Sequence, residues 1–565
     1  MTTKRSIKTP YVANDNSSGE VAHHEHHEHH DSPTANDHRQ RDWSKLREDA
    51  NLATENEHNT TFLQAVKLYP KAVAWSLVVS LAIIMDGYDT ALMGSLFGFP
   101  AFQRKYGHQV PDSNKYTLTA QWQMALGMAT PVGNVVGIIL NGHLTDKFGH
   151  KPVLHGGLIA LIGLIFIQFF AQNVQVLFVG QLLCGIPWGM FTTLAPAFSS
   201  EIAPLILRSY LETWVVCCWG IGQFFSYAVL FSLNDWDSQW AYRIPFAIQW
   251  LWPIIILLLA IFCPESPWWL VRKGRYEMAK QSVIRLSSAK SKEIAVENAK
   301  KAVALMIETD KLEKETTKDT SFLACFKGHD LWRTEIACFT WGSQIFTGFV
   351  VQSYAAYFFQ QAGLSPSDSF KMTLGMGGIH LLCNLASAAL TGNYGRRPLY
   401  LWGNLALALI IMVVGFLAFG PLNSAFGYAT SAVYLVWFAV WCLTMGPLPY
   451  VINAEVSSTR LRSKTIALAR GTYLILNIIN SVVSPYILNP QNANWRGKSG
   501  LLTSGLTVVS LIWAYFRLPE TGNRTFEELD ILFAEKNITA RKFSKAVIYR
   551  EGEVVRVTGP HTSDS

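Results

Sequence analysis

The sequence predicts an all-α polytopic membrane protein, with twelve transmembrane helices in two six-helix bundles. Three observations predict it. The 565 residues are 50% hydrophobic and 13% aromatic but only 15% charged, where a soluble chain carries about a quarter charged residues. Twelve apolar runs are long enough to cross a bilayer. The two halves also echo each other: "LTDKFGHKPVL" after the second run is matched by "LTGNYGRRPLY" after the eighth, as duplication of a transporter bundle would leave.

Residues 1–65 are polar and poor in aromatics, and are expected to form a disordered cytoplasmic tail. The tract "HHEHHEHH", His23 to His30, resembles a metal-binding tract. With no folded frame to fix ligand geometry it reads as a solvated segment, and no metal or other cofactor is expected. An N-terminal bundle, 66–263, follows, with spans at 72–97, 119–142, 152–171, 176–199, 209–232 and 242–263. The polar stretch ahead of the first span argues against a cleaved signal peptide. Residues 264–334 alternate charge with apolar positions at helical spacing, and read as a cytoplasmic amphipathic helical linker. The C-terminal bundle, 335–517, has spans at 335–359, 369–391, 399–419, 426–451, 464–488 and 500–517, and a polar cytoplasmic tail, 518–565, closes the chain. "ESPWWLVRKGRYEMA" after span six is answered by "LPETGNRTFEELD" after span twelve.

Net charge is +7, and its placement matters more than its sum. Loops after even-numbered spans are basic ("HLTDKFGHK", "NYGRRP", "SSTRLRSK"), and those after odd-numbered spans are poor in Lys and Arg. The positive-inside rule then places both termini and the linker of this multi-pass protein in the cytoplasm. Nothing clusters as a nucleic-acid patch does, so the expected partners are the lipid bilayer and small solutes. All eight cysteines fall in spans or on the cytoplasmic side, so no structural disulfide is expected. The sequons at Asn16, Asn59, Asn523 and Asn537 lie in the same tails and should be unused.

"IIMDGYDTALMGS", residues 83 to 95, sets Asp86 and Asp89 in the middle of the first span. Each carboxylate costs about 2.5–3.5 kcal/mol at the centre of a spanning helix. Three residues apart, they share a helix face. Two acids this close in low dielectric resist double ionisation, which suits a group that takes a proton on one side and releases it on the other. The competing reading is that Gly87 loosens the helix and the acids satisfy freed backbone amides.

Several stretches carry a resemblance that covers about 70 to 535: "GYDTALMG", "GHLTDKFGHK", "SSEIAPLILR", "PESPWWLVRKGR" and "PETGNRT". The chain resembles the sugar porters of the major facilitator superfamily. In "CGIPWGMF", "PESPWW", "SYAAYFFQQAG" and "RLRSKTIALAR" it looks most like fungal maltose and other α-glucoside permeases. The resemblance implies the major facilitator fold, a monomer, and two bundles that rock around a central sugar site. It implies no enzyme. Asp89 matches the family's proton-coupling aspartate, and Asp86 stands where the α-glucoside group is acidic. Gln181 stands where many proton-linked members have an arginine. Arg470, about 12 Å along its helix from Arg462, is the expected substitute and the expected partner of a carboxylate. Asn134 stands where the α-glucoside symporters have a further acid, which leaves coupling simpler, or lost.

For the sugar, amides and aromatic faces are wanted. Gln344 matches the first glutamine of the family's seventh-helix pair, while the second is replaced by Ile345 and the following asparagine by Val350. Tyr450 stands where many members have tryptophan. Gln223, Tyr473 and Asn477 are further lining candidates. His380 is either a substrate contact or a histidine satisfied within the bundle. Asp146, Lys147, Glu201, Arg208, Glu265, Glu455, Arg460 and Arg462 sit at the inner helix ends. In the family such charges form salt bridges that close the cytoplasmic gate.

The function expected is proton-coupled symport of a sugar, an α-glucoside such as maltose. A facilitator or exporter of another sugar, glycoside or polar metabolite stays open, favoured by Asn134 and Val350. A transporter-like nutrient sensor is a third reading, against which stands the short segment after Glu520. No nucleophile–base pair or metal motif in the spans supports a membrane enzyme.

Overall fold

A computed structural model describes residues 62–558, apart from 110–115, 204, 289–291, 318–320, 351, 353, 422, 459–460 and several positions between 523 and 553. The histidine tract, the four sequons and Arg460 lie outside the described residues, as does the side chain of Arg208.

The first six long helices are α1 (Pro70–Leu96), α2 (Ala120–Phe148), α3 (His150–Phe169), α4 (Val174–Ile202), α5 (Leu205–Leu233) and α6 (Trp240–Ala260). The second six are α7 (Gly328–Gly348), α8 (Pro366–Tyr394), α9 (Arg396–Leu417), α10 (Ser424–Val456), α11 (Arg462–Leu488) and α12 (Ser499–Arg517). Counted over the described residues, ten of them are long and apolar enough to cross a membrane. The exceptions are α7 and α8. The first starts in "GHDLWRTE", before the expected boundary, and the second carries Ser369, Thr373, His380, Asn384 and Ser387 among its buried residues. Between the sets lie helices Pro267–Arg272, Tyr276–Leu286 and Lys292–Thr317, packed on one another through Leu270, Val283, Ala299 and Val303.

The halves are built alike at the end that carries these linker helices. After α2, Gly149 turns the chain at φ +97°, and Glu265 accepts the backbone N–H groups of His150 at 3.0 Å and Lys151 at 3.1 Å. After α8, Gly395 turns at φ +77°, and Glu520 accepts those of Arg396 and Arg397, both at 3.0 Å. Each carboxylate thus caps the N-terminus of α3 or α9, where the helix dipole and free N–H groups favour a negative charge. A Cβ at Gly149 would lie 2.6 Å from Glu265 Oε2, and one at Gly395 2.9 Å from Glu520 Oε2. The matched sequence stretches therefore describe one device used twice.

Within the first half, α1 and α5 meet backbone to backbone. A Cβ on Gly87 would lie 2.2 Å from the Trp219 carbonyl oxygen, and one on Gly222 2.1 Å from that of Ile84. Between the halves, α5 packs on α8 and α2 on α11. In the segment after α12, expected to be a polar tail, Leu529, Leu532, Phe533 and Phe543 are buried. Phe533 and Phe543 pack against Trp332.

Candidate functional site

Asp86 and Asp89 are both buried in the middle of α1. The Asp89 carboxylate accepts three side-chain donors from three helices. Gln249 of α6 lies 3.0 Å from Oδ1, Gln181 of α4 3.3 Å from Oδ1, and the Thr130 hydroxyl of α2 3.3 Å from Oδ2. Gln181 is oriented by Gln168 of α3, which donates to its carbonyl at 2.6 Å. Every donor is neutral.

Asp86 is held differently. The Trp219 indole N–H of α5 donates to Oδ2 at 3.1 Å, while Oδ1 is buried without a hydrogen-bond partner. The Arg470 charge and the Asn134 amide both face this carboxyl. Arg470 lies on the second half within electrostatic range of it, spread over two rings: its guanidinium lies 4.7 Å from the Trp341 centroid and 5.0 Å from that of Tyr473. Stacking on aromatic faces lets a guanidinium sit in low dielectric at less cost than an ammonium.

Tyr450 packs on Trp341 with centroids 4.5 Å apart, and Tyr473 meets the same indole at 5.6 Å. Tyr450 stays 45% exposed, so its ring is open to a ligand. Gln344 is not: its amide donates to the Gly446 carbonyl at 2.7 Å and that of Met445 at 3.2 Å, where α10 breaks. Gln223 is buried on α5, and Asn477 is half-buried on α11. Val350 lies just past the end of α7, before a short helix Ala355–Gln361, with φ +71°, a conformation that strains a β-branched residue, and its N–H is held by Asn480 at 2.8 Å.

At the linker end, among the described residues, Glu201 and Glu455 pair with groups on their own side. Glu201 accepts from Arg272 and from the Ser266 hydroxyl, with His150 Nε2 at 3.7 Å. Glu455 holds Arg396 at 2.6 Å and the Thr521 hydroxyl at 2.6 Å. Asp146 and Lys147 are exposed, the first offering its backbone carbonyl to Trp269 at 3.2 Å and the second lying over the Phe148 ring. Arg462 opens α11.

Sequence reasoning missed Gln249, Thr130, Trp219 and Trp341. A lone polar group in an apolar span needs a partner there, but the sequence does not say which helix supplies it.

A duplicated twelve-helix bundle with buried acids at its centre defines a secondary transporter. A family model described as "Sugar (and other) transporter" matches residues 75–533. The general alpha-glucoside permease of Saccharomyces cerevisiae is 37% identical over 505 residues, which cover 89% of this chain and 81% of the relative. The maltose permease MAL31 of the same yeast is 35% identical over 510 residues, covering 89% and 82%. The chain belongs to the sugar transporter family. It is a membrane transport protein of that family and not an enzyme. The fold is also that of the inward-open xylose transporter XylE from E. coli, with a TM-score of 0.63 at 22% identity over 82% of this chain and 99% of that one.

Proposed function

We propose that this protein is a proton-coupled symporter of an α-glucoside, maltose or a near relative, in the plasma membrane with both termini cytoplasmic. One observation supports the reading: a buried acid of the first half, Asp86, lies in the field of a half-buried cation of the second half, Arg470, at the seam where the halves separate. An ionised Asp86 favours the arrangement that keeps Arg470 near it, and a protonated one releases that preference. Proton binding is thereby tied to which way the halves lean. Asp89, sealed behind three neutral donors, is the second proton-coupling group. The names of the yeast permeases supply the substrate class.

The sugar is placed against Tyr450, whose exposed ring suits a C–H face, with Gln223, Tyr473 and Asn477 as polar neighbours. Gln344 takes part through its remaining carbonyl oxygen, since its donors are engaged. Asp146, Lys147, Glu201, Arg208, Glu265, Glu455, Arg460 and Arg462 form the cytoplasmic gate, closing when the carrier faces outward.

Uptake of labelled maltose, sucrose, trehalose and glucose, with and without a protonophore, tests the reading. Expected are accumulation of one α-glucoside, its collapse with protonophore, and alkalinisation of a weakly buffered suspension when sugar is added. Downhill uptake that ignores the protonophore overturns coupling. It would support the facilitator reading, which the amides at Asn134 and Gln181 favour.

A further inference from the structure

Trp219 touches both halves. Its indole N–H donates to Asp86 Oδ2 at 3.1 Å, and its ring meets the His380 ring of α8 at right angles, with centroids 5.8 Å apart. His380 in turn packs on Phe438 of α10 at 5.7 Å, and is 4% exposed, with Nδ1 buried and unpartnered. The helices around this contact have little room to absorb movement. α5 is pressed on α1 at Gly87 and Gly222, and on α8 at Gly220, where a Cβ would lie 3.3 Å from His380 Nδ1. At Gly377 a Cβ would lie 3.1 Å from the Phe224 backbone. A change in how Trp219 is held on one side must therefore be felt on the other.

We infer that Trp219 is a positioning residue that links the charge on Asp86 to the bearing of α5 on α8, so that protonation in the first half is read at the seam with the second. This rests on the proton-coupled reading above and goes beyond it. A hydrogen bond to a carboxylate is shorter and stronger than one to a neutral acid. With Asp86 ionised, the indole is drawn toward α1; with Asp86 protonated, that hold weakens and the ring is set by His380 and its neighbours. His380 serves as the wall against which the indole turns. The titratable or charged groups around Asp86 are Asp89 on its own helix, Arg470 and Tyr473 on α11, and His380 on α8 behind the indole. From α2 it meets Asn134, which does not titrate. Cys184 of α4 lies toward Asp89.

The test is a cycle of four full-length chains: wild type, Trp219→Phe, Asp86→Asn and the double variant. Phenylalanine keeps an aromatic ring against His380 and removes the N–H, with some loss of ring area that the Asp86→Asn background shares. Losing a donor that prefers the ionised acceptor is expected to displace the pH profile of sugar uptake by about half a unit or more in the wild-type background. The displacement is expected to vanish in the Asp86→Asn background. An equal displacement in both backgrounds, or none in either, overturns the inference.

A second readout does not depend on coupling. Chains carrying 5-fluorotryptophan in lipid nanodiscs give a fluorine resonance for Trp219, assigned by its loss in Trp219→Phe. It is expected to move with pH in wild type and to stay fixed in Asp86→Asn. If uptake proves indifferent to pH and protonophore, the symport reading fails, and this resonance alone decides the link. A resonance unmoved by pH, or moving alike in Asp86→Asn, overturns it.

Discussion

Asp89 holds its oxygens against three neutral donors, and that fixes what an amide would do in its place. In Asp89→Asn the remaining carbonyl accepts from Gln249 and Gln181. The new NH2 meets the Thr130 hydroxyl, which turns to accept. The site stays satisfied and the variant is expected to fold. It should lose uphill accumulation while keeping sugar exchange, as counterflow in vesicles would measure. Undiminished accumulation would show that Asp89 is not the coupling group. Arg470 differs, because its removal leaves Asp86 facing no cation. Arg470→Ala is expected to lower transport more than Arg470→Lys, and Asp86→Asn in the same chain to recover part of the loss. A double variant no better than Arg470→Ala argues that the arginine serves Trp341 and Tyr473 instead. The two aspartates were legible in the sequence because charge in an apolar span is costly and conspicuous. Trp219 and Gln249 were not. Their meaning lies in which helices touch, and one amide or indole among 19 tryptophans does not announce its partner.

The capping carboxylates act at the scale of elements. Glu265 and Glu520 each satisfy two N–H groups at the start of a spanning helix, α3 or α9, and each pins that helix to the segment following its own half. Glu265→Ala and Glu520→Ala are expected to lower the thermal stability of the purified protein by similar amounts, about 1–2 kcal/mol each, with Asp substitutions intermediate. Unequal losses would mean that the halves share a sequence pattern without sharing its energetic role. This device was legible as matched spacing between "FGHKP" and "YGRRP", though not as a helix cap, because the capping acid lies over 100 residues further on. The segment after α12 was harder to read. Leu529, Leu532 and Phe533 sit at helical spacing, yet "FEELD" among charges looks like a solvated tail until Trp332 is seen beneath it. The seventh helix starts ahead of the expected span for a related reason. Asp330 and Arg333 are buried in its first turns, and charge argued for a loop there.

At the scale of the molecule, the halves are joined at the end away from the linker helices. Gln360, in the short helix Ala355–Gln361 after α7, donates to the Gly98 carbonyl at 2.7 Å. Asn489, after α11, donates to that of Leu118 at 3.0 Å, and Gln491 pairs with His108. Phe97 stacks on Tyr354 and Phe99 meets Phe370 edge-on. At the linker end, by contrast, Glu201 and Glu455 find cations on their own side. In the proposed orientation this is a carrier shut toward the outside. A neutral hydrogen bond contributes about 1 kcal/mol net. Removing two from one side of a two-state equilibrium should then change the ratio of closed to open outer ends by about thirtyfold. Gln360→Ala with Asn489→Ala is the variant, since both side chains act through backbone carbonyls and leave no stranded charge. Spin labels on cysteines introduced at Asp235 and Ser424, exposed positions beside the outer ends of α5 and α10, would report the separation of the halves. The half-exposed Cys338 and Cys383 would first be replaced by serine. The expected result is a longer distance component that grows in the double variant and shrinks when Glu455→Gln is added, which removes a charge from the inner end. A distance distribution unchanged by the two outer substitutions would show that aromatic packing around Phe97 and Phe99 holds the outer end shut without them.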